Sequence, residues 1–433
     1  MKNIWNIFRA DWRRLTASVV AVVVLLGLCL VPCLYAWFNI LSNWDPYGTA
    51  STSRISVAVA SEDAGCEVLG LEVNIGALVL QGLESNDQMG WVFVDSRAEA
   101  LDGVESGDYY AALIVPDVLQ PHAFVPLPAP TGLERARAYL KVEDGCDQFC
   151  HYCVVPYARG PVRSLPLEDA LAQGRVLIAQ GYPEIVLTGI HIGAYGQDFP
   201  GQRPNLGDLL QAFLALPGLG RLHLGSLEPQ QCTETLLELV LNQEKICRHL
   251  HIPLQAGCDK TLAAMGRRYD TTAYAALCAR IRSMDPQIAL TTDVMVGYPG
   301  ESEADFATTY HFCQQIGFAD MHVFAYSPRK RTVAAELPGQ IAPPEKERRS
   351  KALLELAGQL RTNYGAAFVG QTLQFLFEQV VEIDGQPYYQ GHSENYLPLL
   401  LPARPDGPPV GRLVTVCGKT FADDRLYGEW LED

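Results

Sequence analysis

GCDQFCHYC, residues 145–153, places Cys146, Cys150 and Cys153 at C-x3-C-x2-C spacing. Three thiolates this close can cap one face of a 4Fe-4S cube and leave the fourth iron without a protein ligand, open to a small molecule. A zinc site would ask for a fourth Cys or His at characteristic spacing. His151 lies inside the loop, but no second C-x2-C follows. A loop with three ordinary cysteines is the plainer reading, and the patterned neighbourhood of Gly145, Pro156, Arg159 and Gly160 argues against it.

Around this loop the chain reads as α/β. Runs of strand character occur at 135–143, 184–192, 221–227, 248–254, 288–296 and 320–327, with helical apolar spacing between them. Ser302 followed by Asp305 gives one helix a start of capping-box type. Six strand–helix units in succession imply a parallel sheet closed or nearly closed into a barrel, a partial (β/α)6 arrangement over 135–368 with its chemistry at the strand C-terminal ends. The basic amphipathic stretch 343–368 leaves the barrel as a helix. Short β-runs in 369–433 then suggest a small appended β-barrel.

With 433 residues the chain can bury a large core without disulfides, so its 12 cysteines need another explanation. Their crowding fits a metal centre in a reducing compartment. Cys232, Cys247, Cys258, Cys278 and Cys313 read as small buried hydrophobes. The net charge of −16 argues against generic nucleic-acid binding. Residues 1–120 hold six basic against fourteen acidic side chains, so the excess is uneven and an RNA site would be a local basic patch.

The N-terminus has a different character. No residue between Leu15 and Ile40 is charged, which is long enough for a transmembrane helix over 15–40. Lys2, Arg9, Arg13 and Arg14, in a basic tail over 1–14, place that end in the cytoplasm. A cleaved signal peptide is the competing reading, although no clear cleavage site follows. Residues 41–116 read as a small mixed α/β segment. Five prolines in 116–132 mark a junction, and 117–134 reads as linker.

The cysteine loop, with Tyr152 in the aromatic slot before Cys153, resembles the signature of the radical S-adenosylmethionine (SAM) superfamily. The ordered stretches EIVLTGIHIGAYG, LGSLEP, HLHIPLQAGCD, LAAMGRRY, TTDVMVGYPGESEADF and FAYSPRKRTVAAE extend the likeness to radical-SAM methylthiotransferases. ARAYLKVEDGCDQFC and GHSENYLP are most similar to the threonylcarbamoyladenosine-tRNA group, over about residues 119–433.

The resemblance implies a transferase that adds a 2-methylthio group to threonylcarbamoyladenosine next to the anticodon. Cys146, Cys150 and Cys153 would hold the 4Fe-4S cluster, which would cleave S-adenosyl-L-methionine to a 5′-deoxyadenosyl radical. Tyr152, Thr188 and Gly189 would border SAM, Ser226 and Glu228 would sit near its ribose, and Gln255 and Asp293 would line the mouth. Ser, Thr and Asp at strand ends also commonly cap helices. The tail resembles a TRAM domain, an RNA-binding barrel. Its basic content is thin, so Arg159, Arg163, Arg267, Arg268, Arg329, Lys330 and Arg331 are the candidates for tRNA phosphates. The partners implied are tRNA, a flavodoxin- or ferredoxin-type electron donor and a sulfur donor. Two positions depart from the pattern: Ala256 replaces a usual Ser, and Arg331 stands where Gly is usual.

Such enzymes carry an N-terminal domain with three further cysteines for a second cluster. Before the junction this chain has only Cys29, Cys33 and Cys66, so impaired methylthiolation is expected. Residues 1–116 instead resemble the phage-infection-protein-like membrane family, through MKNIWNIFRADWRR, LYAWFNILSNWDPYG and GVESGDYYAALIVP. The two halves imply opposite localisations, cytoplasmic for the enzyme and single-pass membrane for the N-terminus. The reading is a chimaera joined near residues 116–121, with a membrane-anchored, non-enzymatic protein as the alternative.

Overall fold

Small and β-branched residues in SVAVAS build the first strand, β1 (Ser56–Ser61), whose central four residues are buried. The computed structural model describes residues 55–63, 66–68, 71–84, 86, 89–115, 124, 136–404, 407 and 411–431. The basic tail, the apolar run 15–40 and almost all of 117–134 lie outside the described residues. Among the described residues, no helix is long and apolar enough to cross a membrane. The chain divides into two units, Met1–Pro121 and His122–Asp433.

In the first unit, β2 (Cys66–Val68) and β3 (Leu71–Val73) form an antiparallel pair. After α1 (Ile75–Glu84), β4 (Gly90–Phe93), α2 (Arg97–Ser106) and β5 (Ala111–Val115) complete a parallel sheet of order β4-β1-β5. Ser96 caps α2 by accepting from the Glu99 N–H at 3.1 Å, and Gly107 ends it in the left-handed region.

The second unit begins with β6 (Arg137–Lys141), β7 (Glu143–Asp144), α3 (Val155–Arg159), β8 (Arg163–Ser164) and α4 (Leu167–Ala179). It continues through β9 (Glu184–Thr188), α5 (Leu206–Leu214), β10 (Arg221–Leu224), α6 (Glu234–Leu241), β11 (His249–His251), α7 (Asp259–Ala264) and α8 (Thr271–Met284). Then come β12 (Ala289–Val296), α9 (Glu303–Ile316), β13 (Asp320–Ala325), α10 (Val333–Glu336) and the long α11 (Pro343–Ala366). The six expected barrel strands are all present as β6, β9, β10, β11, β12 and β13, each shorter than its apolar run. They form two three-stranded parallel sheets, β6-β9-β10 and β11-β12-β13. One parallel bridge, Leu222 to Ile246, joins the halves, with the Cys247 N–H donating to Leu222 O at 2.8 Å. Pro253 has no N–H to give the ladder, and β11 ends at His251; pairing resumes only at the Gln255–Val294 bridge.

Strand alternation sorts the two faces. Leu222, Leu224, Leu250, Ile252, Leu290 and Val294 enter one core with Leu209, Phe213, Leu237, Tyr274, Ile281, Phe306 and Leu353 of the surrounding helices. On the alternate positions Arg221 and His223 meet Glu184, and a chain of polar contacts runs on from His223 through His249, Thr291 and His251 to Asp293. The capping box at Ser302 and Asp305 forms as read from sequence, and the five scattered cysteines are buried.

β14 (Thr372–Ile383), β15 (Gln386–Ser393), β16 (Pro398–Pro402), β17 (Leu413–Ala422) and β18 (Arg425–Trp430) close into a barrel of order β14-β15-β16-β18-β17. Its own core includes Phe375, Phe377, Leu399, Leu401 and Leu426. It is tied to the strands above by an ion pair of Arg137 with Glu378 and by Arg221 Nη2 donating to the His392 carbonyl at 3.3 Å.

Arg331, the departure noted in the sequence, has φ 72°, a left-handed conformation that a Cβ disfavours. An Arg331→Gly variant should be more stable by about 0.5–1 kcal/mol, read as a higher urea midpoint. An unchanged midpoint would mean the loop bears no strain there.

Candidate active site at the strand C-terminal ends

The cysteine loop leaves the first barrel strand through a tight turn. Gly145 has φ 92°, and a Cβ there would drive into the Pro161 carbonyl. The Cys146 N–H donates to Gly160 O at 3.1 Å and the Cys153 N–H to Cys150 O at 2.9 Å, which fold the loop on itself. The Gln148 N–H points at Cys146 Sγ from 3.5 Å. All three thiols are free and half-buried. Burial pushes the Cys146 thiol up to about 11, and the neighbouring Cys150 and Cys153 add to the shift; burial also raises Cys153. Three mutually repelling sulfurs in one loop fit a cationic centre that takes thiolates and releases their protons. His151 is occupied otherwise: its Nδ1 meets Ala264 O at 2.8 Å, and its backbone bonds to Met265 and Ala334. Tyr152 packs beside Met265, Met295, Tyr298 and Tyr326.

Arg267 corrects a sequence expectation. It was a candidate for tRNA phosphate, but its side chain is only 4% exposed and is ion-paired with Glu228. Its Nη1 donates to Cys150 Sγ at 3.3 Å and its Nε to Tyr269 Oη at 3.0 Å. Tyr269 in turn donates to Leu254 O at 2.8 Å. The guanidinium thus links the cysteine loop to the residues after β10 and β11. Arg163 is also mostly buried, 3.9 Å from Asp144, which Arg159 approaches to 3.2 Å; that pairing shapes the loop and leaves Arg163 little surface for a phosphate. Arg268, Arg329, Lys330 and Arg331 are exposed.

Thr188 ends β9, and Gly189 lies so close to Glu143 that a Cβ would stand 2.6 Å from Oε2. Glu143, missed in the sequence, is fully buried and accepts the His191 N–H at 2.6 Å. Burial pushes its carboxyl up to about 8, opposed in part by the His191 and Ile190 N–H groups. The folded protein therefore holds a proton that the unfolded chain releases near pH 4.5, so this contribution to stability falls as pH rises from about 4.5 to about 8. Glu143→Gln should flatten that part of a stability–pH profile measured by urea unfolding; an unchanged slope would place the titration elsewhere.

Gln255 is buried with φ 67°, held by Gln255 N–H to Asp293 O and Met295 N–H to Gln255 O, each 2.8 Å. Its Oε1 has no hydrogen-bond partner among the described residues. Ser226, after β10, and Asp293, on β12, share a cavity of about 500 Å³ with His251 and His322. Asp293 faces both histidines, at 3.4 Å from His251 Nε2 and 3.4 Å from His322 Nδ1. Burial opposes ionisation of Asp293, but the two histidines hold its carboxyl well below the usual range. The sequence reading brought Asp293 to the mouth and overlooked the histidines, which stand on the two strands flanking β12 and are brought to Asp293 only by the sheet order.

Residues 140–313 match the Radical SAM superfamily. The chain carries a radical SAM domain. The cofactors of this domain are a 4Fe-4S cluster and S-adenosyl-L-methionine, and the loop of three free thiols could hold the former. Threonylcarbamoyladenosine tRNA methylthiotransferase MtaB of Bacillus subtilis is 34% identical over 304 residues, 70% of this chain and 66% of that protein. The tRNA-2-methylthio-N(6)-dimethylallyladenosine synthase of Chloroflexus aurantiacus is 41% identical over 244 residues, 55% of this chain and 52% of that protein. The chain thus spans between half and just under two thirds of the relatives it matches. Among solved structures, coproporphyrinogen III oxidase (HemN) from Escherichia coli aligns over 55% of each chain at 14% identity, with a TM-score of 0.40.

Proposed function

We propose that the chain is a radical SAM tRNA methylthiotransferase acting on threonylcarbamoyladenosine next to the anticodon. The observation that carries this is the half-buried thiol loop at the C-terminal ends of the strands, with the Arg267 guanidinium 3.3 Å from Cys150 Sγ. The similarity to methylthiotransferases supports the reaction class. The relatives' names differ in the modified adenosine, and the stretches ARAYLKVEDGCDQFC and GHSENYLP favour threonylcarbamoyladenosine.

When bound, the cluster and SAM supply one-electron chemistry able to remove a hydrogen atom from an unreactive carbon. Cys146, Cys150 and Cys153 are the ligands in this reading. Arg267 fixes Cys150 and neutralises part of the thiolate charge, while Glu228 and Tyr269 fix Arg267. Thr188, Gly189, Ser226 and Gln255 border SAM, and the buried Gln255 Oε1 is an acceptor awaiting a donor. The closed C-terminal barrel and the exposed Arg268, Arg329, Lys330 and Arg331 serve the tRNA. A flavodoxin- or ferredoxin-type protein delivers the electron in the cytoplasm.

Only Cys29, Cys33 and Cys66 precede the barrel within these 433 residues, so SAM cleavage with little or no methylthiolation is the expected activity of this chain. Tandem mass spectrometry of tRNA from complemented cells tests it: abundant 2-methylthio product would overturn the impairment, and absence of SAM cleavage would overturn the reading as an enzyme. The alternative, a membrane-anchored protein with an inactive barrel, rests on the uncharged run 15–40. A reporter fused after Ala129 and active only outside the cytoplasm would favour it.

A further inference from the structure

The polar face of the strands carries a second constellation. His251 on β11, Asp293 on β12 and His322 on β13 come from three adjacent parallel strands, and the register sets Asp293 directly beside His322. One ligand atom from each lies within 4.8 Å of the others. Both carboxylate–imidazole separations are 3.4 Å, longer than a charge-assisted hydrogen bond. They fall on different carboxylate oxygens, Oδ2 toward His251 and Oδ1 toward His322, so the carboxylate spans the two rings, and a small turn of it lets one oxygen and both ring nitrogens converge on a single ion at ligand distances of about 2.1 Å. The remaining ring nitrogen of His251, Nδ1, lies 3.0 Å from Thr291 Oγ1, whose other neighbour is His249 Nε2 at 2.8 Å. That outer contact orients the ring and turns Nε2 toward Asp293, as the second layer of a metal site does.

From this geometry we infer that His251, Asp293 and His322 form a site for one divalent transition cation of the zinc or ferrous class, separate from the cysteine loop. Two imidazoles and one carboxylate suit such ions and leave coordination positions free. Those positions open on the cavity of about 500 Å³ that Ser226 also lines, where an oxygen or nitrogen of a substrate can reach the ion. The other group of possible ligands, Glu184, His223 and Cys247, is fully buried, and its carboxylate already holds Arg221 at 2.7 Å and Arg137 at 3.6 Å. It has no room for a cation.

The test uses the full chain with its iron–sulfur centre reconstituted anaerobically, and zinc as the probe. Equilibrium dialysis should find one zinc per chain beyond the iron. X-ray absorption at the zinc edge should show nitrogen and oxygen neighbours at about 2.0–2.1 Å and no sulfur at about 2.3 Å. His322→Ala, at a side chain 71% exposed and therefore compatible with folding, and Asp293→Asn should each weaken zinc binding at least tenfold. Sulfur-only coordination, unchanged binding in both variants or no bound zinc would each overturn the site. Iron content, measured on the same samples, reports the cysteine centre independently.

Discussion

Replacing Glu184 by alanine should destabilise the second unit by about 3–5 kcal/mol, the cost of breaking a buried ion pair from one side. Glu184 is 1% exposed; it accepts from Arg221 Nε at 2.7 Å, with Arg137 at 3.6 Å and His223 at 3.4 Å. Burial disfavours its charge, but the His223 contact and the Arg221 and Arg137 charges hold its carboxyl well below the ordinary range. The alanine variant leaves Arg221 buried without the carboxylate it is bonded to. Because the folded carboxyl is depressed, its stabilisation is complete above the unfolded value near 4.5 and is lost as pH falls toward the folded one. The gap between parent and variant in chemical denaturation should therefore narrow in acid. A loss below about 1 kcal/mol at pH 7, or a gap that widens in acid, would show that Glu184 is not the keystone of this pairing.

The largest chemical effect should come from the Cys146→Ala, Cys150→Ala, Cys153→Ala triple variant. After anaerobic reconstitution the parent should carry about four irons per chain and the variant none. A Cys278→Ala variant serves as the comparison, because Cys278 is buried in the helical core and should leave the iron count unchanged. Iron retained by the triple variant would remove the loop from the site. The thiols are half-buried rather than core, so the triple variant should stay folded, which circular dichroism would verify.

How far the sequence carried this reading differs from feature to feature. The six barrel strands were legible because each sits in an apolar run between helical periods. Their ends were not: β11 stops before Pro253, and Gln255 adopts a positive φ where residue type suggests continuation. The thiol loop was legible from spacing alone, since its three ligands are local. Arg267 was misread because its partner Glu228 lies 39 residues away, and only the fold reveals that an arginine in a loop has been drawn inward. Glu143 and the His251–Asp293–His322 group were missed for the same reason: their meaning lies in which neighbours adjacent strands supply. The span 15–40 and the junction lie outside the described residues, and their reading stays with the sequence.

The seam between β10 and β11 gives the domain a mechanical character. Cys146, Cys150, Cys153 and Glu228 belong to the first three-stranded leaf, whereas Arg267 follows the first strand of the second, so its contacts with Cys150 and Glu228 clasp the leaves at the mouth. Farther down, the Cys247–Leu222 hydrogen bond and one bridge do the same work. Ligands that bind only the folded state add stability by mass action. A centre bound at the thiol loop should therefore make the two leaves harder to part, and slowed hydrogen exchange at the Cys247 amide, which bonds across the seam to Leu222 O, is the expected readout.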